Sequence, residues 1–194
     1  REGPDGILAV VDAPGMALAD LNIAPGALLL VAQGIEKPVN LGAMLRTADA
    51  AGVGAVIAAD PRTDWGNPNV IRASKGTVFS VPVAAATTEE AWAWLAAHDV
   101  EIIATTPDTQ VEHTDVDLTG AVAVAVGSEK YGLTDIALEQ IRRIKGIKSA
   151  EAAEALKNHG YYGTMMVATG QALASKPSKG VQPLRVAITF CHRL

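Results

Sequence analysis

A chain of 194 residues, 49% of them apolar, is long enough for one compact domain with a substantial core. Its 16 basic and 21 acidic residues leave a formal net charge of -5, which argues against a surface gripping phosphate backbones over a wide area. Any contact with nucleic acid is then local or helped by another domain.

A single cysteine, Cys191, cannot close an internal disulfide, and the four histidines are scattered without zinc-ligand spacing, so the chain reads as intracellular and metal-free. No apolar run approaches the ~20 residues that cross a bilayer, and no charged-then-apolar leader opens the chain. A soluble, cytoplasmic protein is expected. The opening on Arg1, followed almost at once by an apolar segment, reads as a fragment from which an upstream domain is missing.

Taken in order, short apolar runs recur: "GILAVV" (6 to 11), "ALLLVAQ" (27 to 33), "AVIAAD" (55 to 60), "VFSVPVA" (78 to 84), "EIIATT" (101 to 106) and "AVAVAVG" (121 to 127). Their continuous apolarity fits strands covered on both faces, the pattern of a parallel sheet. Between them, "NLGAMLRTADAAG" (40 to 52), "TEEAWAWLAAHD" (88 to 99) and "TDIALEQIRRI" (134 to 144) read as helices. Pro38 suits a helix start, Asn40 is a candidate N-cap, and Thr88 and Thr134 are N-caps with an acid in the first turn. The alternation predicts an α/β fold, a mainly parallel sheet with helices on both faces.

The last fifty residues hold five of the eight lysines, Lys145, Lys148, Lys157, Lys176 and Lys179, and no apolar run as clean as those before. Helices are expected over 149 to 158 and 164 to 174, and "SKPSKG" (175 to 180) reads as a loop.

The chain lacks a phosphate-binding Gly-x-x-x-x-Gly-Lys-Ser/Thr loop and a Gly-x-Ser-x-Gly elbow, and "GVG" at 52 to 54 precedes a strand instead of following one. NTPase, hydrolase and dehydrogenase readings are therefore weak. Two other features stand out. Asn40 and Arg46 lie where a strand gives way to a helix; taken alone, Asn40 caps, and Arg46 pairs with Asp49 at i,i+3 for only ~0.2 to 0.5 kcal/mol. "AVAVAVGSEKYGLTD" ends a buried strand at Gly127 and turns through Ser128 and Glu129 into a helix. Read blandly it is an ordinary strand-to-helix turn with glycines for tight geometry. Carboxyl ends of strands are nonetheless where ligands bind in open α/β sheets.

"NLGAMLRTADAAG" resembles the first motif, and "GSEKYGLTD" the second, of the SpoU branch of the SPOUT family, AdoMet-dependent RNA ribose 2'-O-methyltransferases. "IRASKGTVFSVPV" (71 to 83) resembles the segment between them, and the likeness extends over roughly residues 6 to 144. It implies a catalytic domain over 1 to 194, a C-terminal trefoil knot, a homodimer, AdoMet as cofactor, and ribosomal RNA ahead of transfer RNA as substrate. It assigns Asn40 and Arg46 to the catalytic loop and helix and Glu129 to the loop that supports them. Gly127 would let the backbone approach the cofactor, and Thr105 would line its pocket. Glu129 is expected to accept hydrogen bonds from Asn40 or nearby loop amides.

The family's third motif, Ile-Pro-Met-x-Gly followed by Ser-Leu-Asn, is missing. "RRIKGIKSAEAAEAL" comes nearest, with Ile144 standing for the isoleucine in the pocket and Ser149 for the serine. Three accounts fit: a diverged tail, a sequence misassigned after about residue 144, or a family member without cofactor binding. The leading reading is the methyltransferase; the alternative is a non-catalytic RNA-binding or assembly protein on the same scaffold. Asn40, Arg46 and Glu129 favour the enzyme, and the missing motif favours the binder.

Overall fold

The computed structural model describes residues 10–106 and 116–144. Five strands, β1 (Leu28–Gln33), β2 (Ala55–Ala59), β3 (Val83–Ala86), β4 (Glu101–Ala104) and β5 (Val122–Val126), form a sheet in the order β3-β2-β1-β5-β4. Every neighbouring pair is parallel. Helices α1 (Pro38–Ala50), α2 (Pro68–Ser74), α3 (Thr88–Ala97) and α4 (Asp135–Ile144) cover the sheet, as the alternating apolar runs predict.

Successive strand residues point to opposite faces, so each run feeds two cores. Leu29 and Val31 pack with Trp92 and Leu95 of α3 and Ala137 and Ile141 of α4. Ala32, Val56 and Ala58 meet Leu41, Leu45 and Ala48 of α1 and Val70 of α2 on the other side. With both faces covered, all five residues of β2 are buried. Leu45 and Leu95, each 0% exposed, stabilise the two layers by roughly 2 kcal/mol apiece.

Four expectations are corrected. The strand expected at 78 to 84 starts only at Val83, and Val78 belongs to a 3-10 turn, Thr77–Phe79. Pro82 has no N–H for a ladder, so regular pairing begins after it. Of the strand expected at 6 to 11, Val10 and Val11 are exposed and without regular structure, and 6 to 9 lie outside the described residues. Among the described residues the chain first meets the sheet edge at Met16, whose N–H bonds the Val83 carbonyl at 3.0 Å. Helix α1 starts earlier than expected: extended Lys37 is its N-cap and Pro38 its first residue, because a pre-proline residue avoids helical ψ and proline's fixed φ suits that place. Asn40 is therefore inside the first turn and does not cap. At α3 the N-cap is Thr87, which forms a capping box with Glu90, and Thr88 is released for another task. Thr134 does cap α4, accepting from the Ala137 N–H at 3.2 Å. The expected knot, the helices over 149 to 158 and 164 to 174 and the loop at 175 to 180 lie outside the described residues.

From β1 the chain builds outward to β2 and β3, whereas β4 and β5 lie on the other side of β1. The carboxyl ends of β1 and β5 therefore flank a topological switch point, where open parallel sheets leave a crevice for ligands.

Candidate functional site at the β1–β5 switch point

Gln33, the last residue of β1, is a buried polar side chain, 3% exposed, at the end of an apolar strand. Its Nε2 donates to Thr88 Oγ1 at 2.8 Å and Thr134 Oγ1 at 3.0 Å, and its Oε1 accepts the Thr134 N–H at 2.9 Å. Thr88 Oγ1 in turn donates to Asp60 Oδ2 at 2.6 Å. Because a carboxylate only accepts, the Thr88 hydroxyl must receive from Gln33, which fixes the amide's orientation. One glutamine thus holds the starts of α3 and α4 at the carboxyl edge of the sheet.

Beside it, Glu129 of the turn after β5 reaches the start of α1. Its Oε2 accepts from Lys37 Nζ at 2.7 Å and Asn40 Nδ2 at 3.3 Å. The contact expected between Asn40 and Glu129 is present, and Lys37 joins it. The shorter bond carries a full charge on both partners, which makes it the stronger anchor.

Arg46 is not part of this cluster. It lies six residues further along α1, about 9 Å along the axis and about 120° around it from Asn40. Nor does it pair with Asp49, as the sequence alone favoured: Asp49 accepts from Ser80 Oγ, and Arg46 Nη1 donates to the carbonyl of Ala73. That carbonyl belongs to the last turn of α2, where backbone acceptors lack helical partners and the helix dipole is negative. A cation is well placed there.

Gly42 makes that contact reachable. A Cβ at this position would stand 2.6 Å from Ala73 Cβ and 2.7 Å from Ser74 N, so only glycine lets α1 and α2 approach this closely. Gly127 has a reason of its own kind: a Cβ there would come well under 3.0 Å from the Gly132 and Leu133 backbone. Ser128 and Gly132 exchange two backbone bonds of 2.9 Å, which folds the turn back over Gly127. Thr105, just past β4, gives both its N–H and its hydroxyl to the Ala125 carbonyl, at 3.0 and 2.9 Å. Ile144 is the last residue of α4, and its side chain lies outside the described residues.

Lys130 stands 4.7 Å from the centre of the Tyr131 ring. Its hydrogen bond with Tyr131, followed by that group's charge, raises the ammonium above the ordinary lysine range. It is a fixed cation at neutral pH. Among the described residues no group of three or more His, Cys, Asp and Glu is placed to hold a metal ion, and no helix is long and apolar enough to cross a membrane. Two clefts, about 530 Å³ beside Thr63, Trp65 and Ala85 and about 340 Å³ along Ile136 and Gln140, are lined by none of Lys37, Asn40, Arg46 and Glu129.

Sequence reasoning missed Gln33, Lys37 and Gly42. A polar residue closing the run "LLLVAQ", and a glycine inside a helix at a cost of about 1 kcal/mol against alanine, were the available signals for the first and last. Lys37 gave none beyond preceding a proline.

The chain matches the model of the SpoU rRNA Methylase family over residues 27–158. The 23S rRNA (guanosine-2'-O-)-methyltransferase RlmB of Coxiella burnetii is 34% identical over 131 residues, 67% of this chain and 52% of that protein. A solved RNA 2'-O ribose methyltransferase is 41% identical with a TM-score of 0.57, the match covering 71% of this chain and 49% of that one. An AdoMet-bound rRNA methyltransferase from Sinorhizobium meliloti is 31% identical with a TM-score of 0.60, over 64% and 48% of the two chains. The chain spans about half the length of these relatives. The family match takes in every strand and helix described above, together with Asn40, Arg46 and Glu129. This chain belongs to the SpoU rRNA Methylase family.

Proposed function

We propose that this chain carries the catalytic domain of an RNA ribose 2'-O-methyltransferase that uses AdoMet, acts on ribosomal RNA ahead of transfer RNA, and works in the cytoplasm as a homodimer. The observation that carries the reading is Glu129 accepting the Asn40 amide across the switch point, which brings the two motifs of the family into one cluster. The rRNA methyltransferase relatives from C. burnetii and S. meliloti support an rRNA substrate, and the AdoMet-bound relative supports the cofactor.

The described residues fit such a cofactor on one side. Thr105 and Gly127, both small, directly follow the adjacent strands β4 and β5, and the Thr105 hydroxyl is occupied by Ala125, which leaves its methyl group for an apolar ligand face. Thr105 and Gly127 would hold one wall of the pocket, and Ile144 would add to it. Bound AdoMet supplies an electrophilic methyl group on a sulfonium.

A ribose hydroxyl is a weak nucleophile, so it must be oriented and its charge stabilised as the oxygen attacks. Asn40 commits its Nδ2 to Glu129, which leaves Oδ1 as the acceptor that aligns the 2'-hydroxyl. With one arm of the Arg46 guanidinium set on Ala73, the rest of its fork holds the adjoining phosphate and stabilises developing negative charge on the 2'-oxygen. The hydroxyl proton passes to water.

Incubation with methyl-labelled AdoMet and an unmodified 23S rRNA transcript, followed by nucleoside analysis, tests this. Label in a 2'-O-methylated nucleoside is expected. RNA binding without AdoMet binding or methylation would overturn it in favour of the non-catalytic RNA-binding protein.

A further inference from the structure

Lys37 has no assigned task, yet its bond to Glu129 is shorter than the one Asn40 makes. As N-cap residue it stands three positions before Asn40, and its own carbonyl accepts the Asn40 N–H at 3.0 Å, so the two side chains leave the same end of α1. Both converge on one carboxylate oxygen. Glu129 and Lys37 are 55% and 66% exposed, so little packing restrains either side chain. The charge-assisted bond helps to hold the carboxylate in front of Asn40, and that carboxylate in turn orients the Asn40 amide.

We propose that Lys37 is a positioning residue for methyl transfer: through Glu129 it keeps the Asn40 amide turned so that Nδ2 faces the carboxylate and Oδ1 faces the ribose. The inference rests on the methyltransferase reading. Without Lys37 the carboxylate loses its charged anchor on α1 and holds the amide less firmly, which misorients the hydroxyl without removing a substrate contact. The competing role for an exposed lysine here is a direct phosphate contact. The two differ kinetically, because a positioning residue acts on kcat and a phosphate contact on the KM for RNA.

The test compares wild type, K37M, K37R, E129Q and K37M/E129Q under steady-state conditions with AdoMet and unmodified 23S rRNA transcript. K37M should lower kcat roughly ten-fold with RNA KM changed less than about two-fold, and K37R should restore most of the rate. Added to E129Q, K37M should cost less than about two-fold more, since both act on one interaction. A raised KM at unchanged kcat, or losses that multiply in the double variant, would overturn the inference while leaving the methyltransferase reading intact. A wild-type chain that methylates no RNA would overturn that reading and this one with it.

Discussion

Gln33 and Thr134, separated by 101 positions, are joined through both ends of one amide: the glutamine Oε1 takes the threonine N–H, and its Nε2 gives to the threonine hydroxyl. The Thr88 hydroxyl completes the set on the second Nε2 hydrogen. Gln33→Leu keeps most of the volume, strands the Thr134 N–H in a part-buried place and takes one donor from each of the Thr88 and Thr134 hydroxyls. A loss of about 2 kcal/mol in urea unfolding is expected, with the midpoint lowered and the slope unchanged.

Gly42→Ala sets two effects against each other. Helix propensity favours alanine by about 1 kcal/mol, and overpacking against α2 costs roughly 1 to 3 kcal/mol. The new Cβ would meet the Ser74 backbone nitrogen as well as a side chain, so the neighbour cannot simply rotate away and overpacking wins. Net destabilisation is expected in thermal or urea unfolding, together with a fall in methyl transfer as Ala73 draws away from Arg46.

Gly127→Ala should be the more severe change. Its Cβ would collide with backbone on the far side of the same turn, and the two bonds between Ser128 and Gly132 leave that turn no room to open. A loss of more than about 3 kcal/mol, or no folded protein at all, is expected by circular dichroism. Mild destabilisation would mean that the turn yields more readily than its hydrogen bonds imply.

Arg46→Lys keeps the charge and loses the fork. An ammonium can satisfy the Ala73 carbonyl or a phosphate, but it cannot span both in the fixed plane of a guanidinium. Methyl transfer should fall roughly a hundred-fold with AdoMet affinity unchanged by calorimetry. Near-normal turnover would remove Arg46 from the proposed chemistry.

Four strands were legible because a sheet covered on both faces leaves an unbroken apolar signal; β1, β2, β4 and β5 all fall within runs such as "ALLLVAQ" and "AVIAAD". β3 was displaced because Val78 and Val81 are buried for another reason, packing beside α1 and α2 from an irregular segment. The site was legible only in part. Nothing local in "LLLVAQ" or "VAVAV" says that these strands lie side by side, so the Asn40–Glu129 contact was reachable only through the resemblance of two motifs. Gln33 read only as the last residue of an apolar run, Lys37 drew no reading, and Arg46 read as half of a surface pair. Their partners Thr134, Glu129 and Ala73 are distant in sequence, and local pattern carries no information about them.

The strand order also bears on how the chain is made. β5 comes last of the five and takes its place between β1 and β4. Until residues 122–126 have left the ribosome, β1 and β4 each present an unpaired edge towards an empty slot, the kind of edge that recruits foreign strands. Gln33 and Asn40, synthesised early, wait for Thr134 and Glu129 until that slot is filled. Filling it completes the sheet and assembles the Lys37–Asn40–Glu129 cluster in one event, so a chain stalled short of β5 is exposed to aggregation and lacks that cluster.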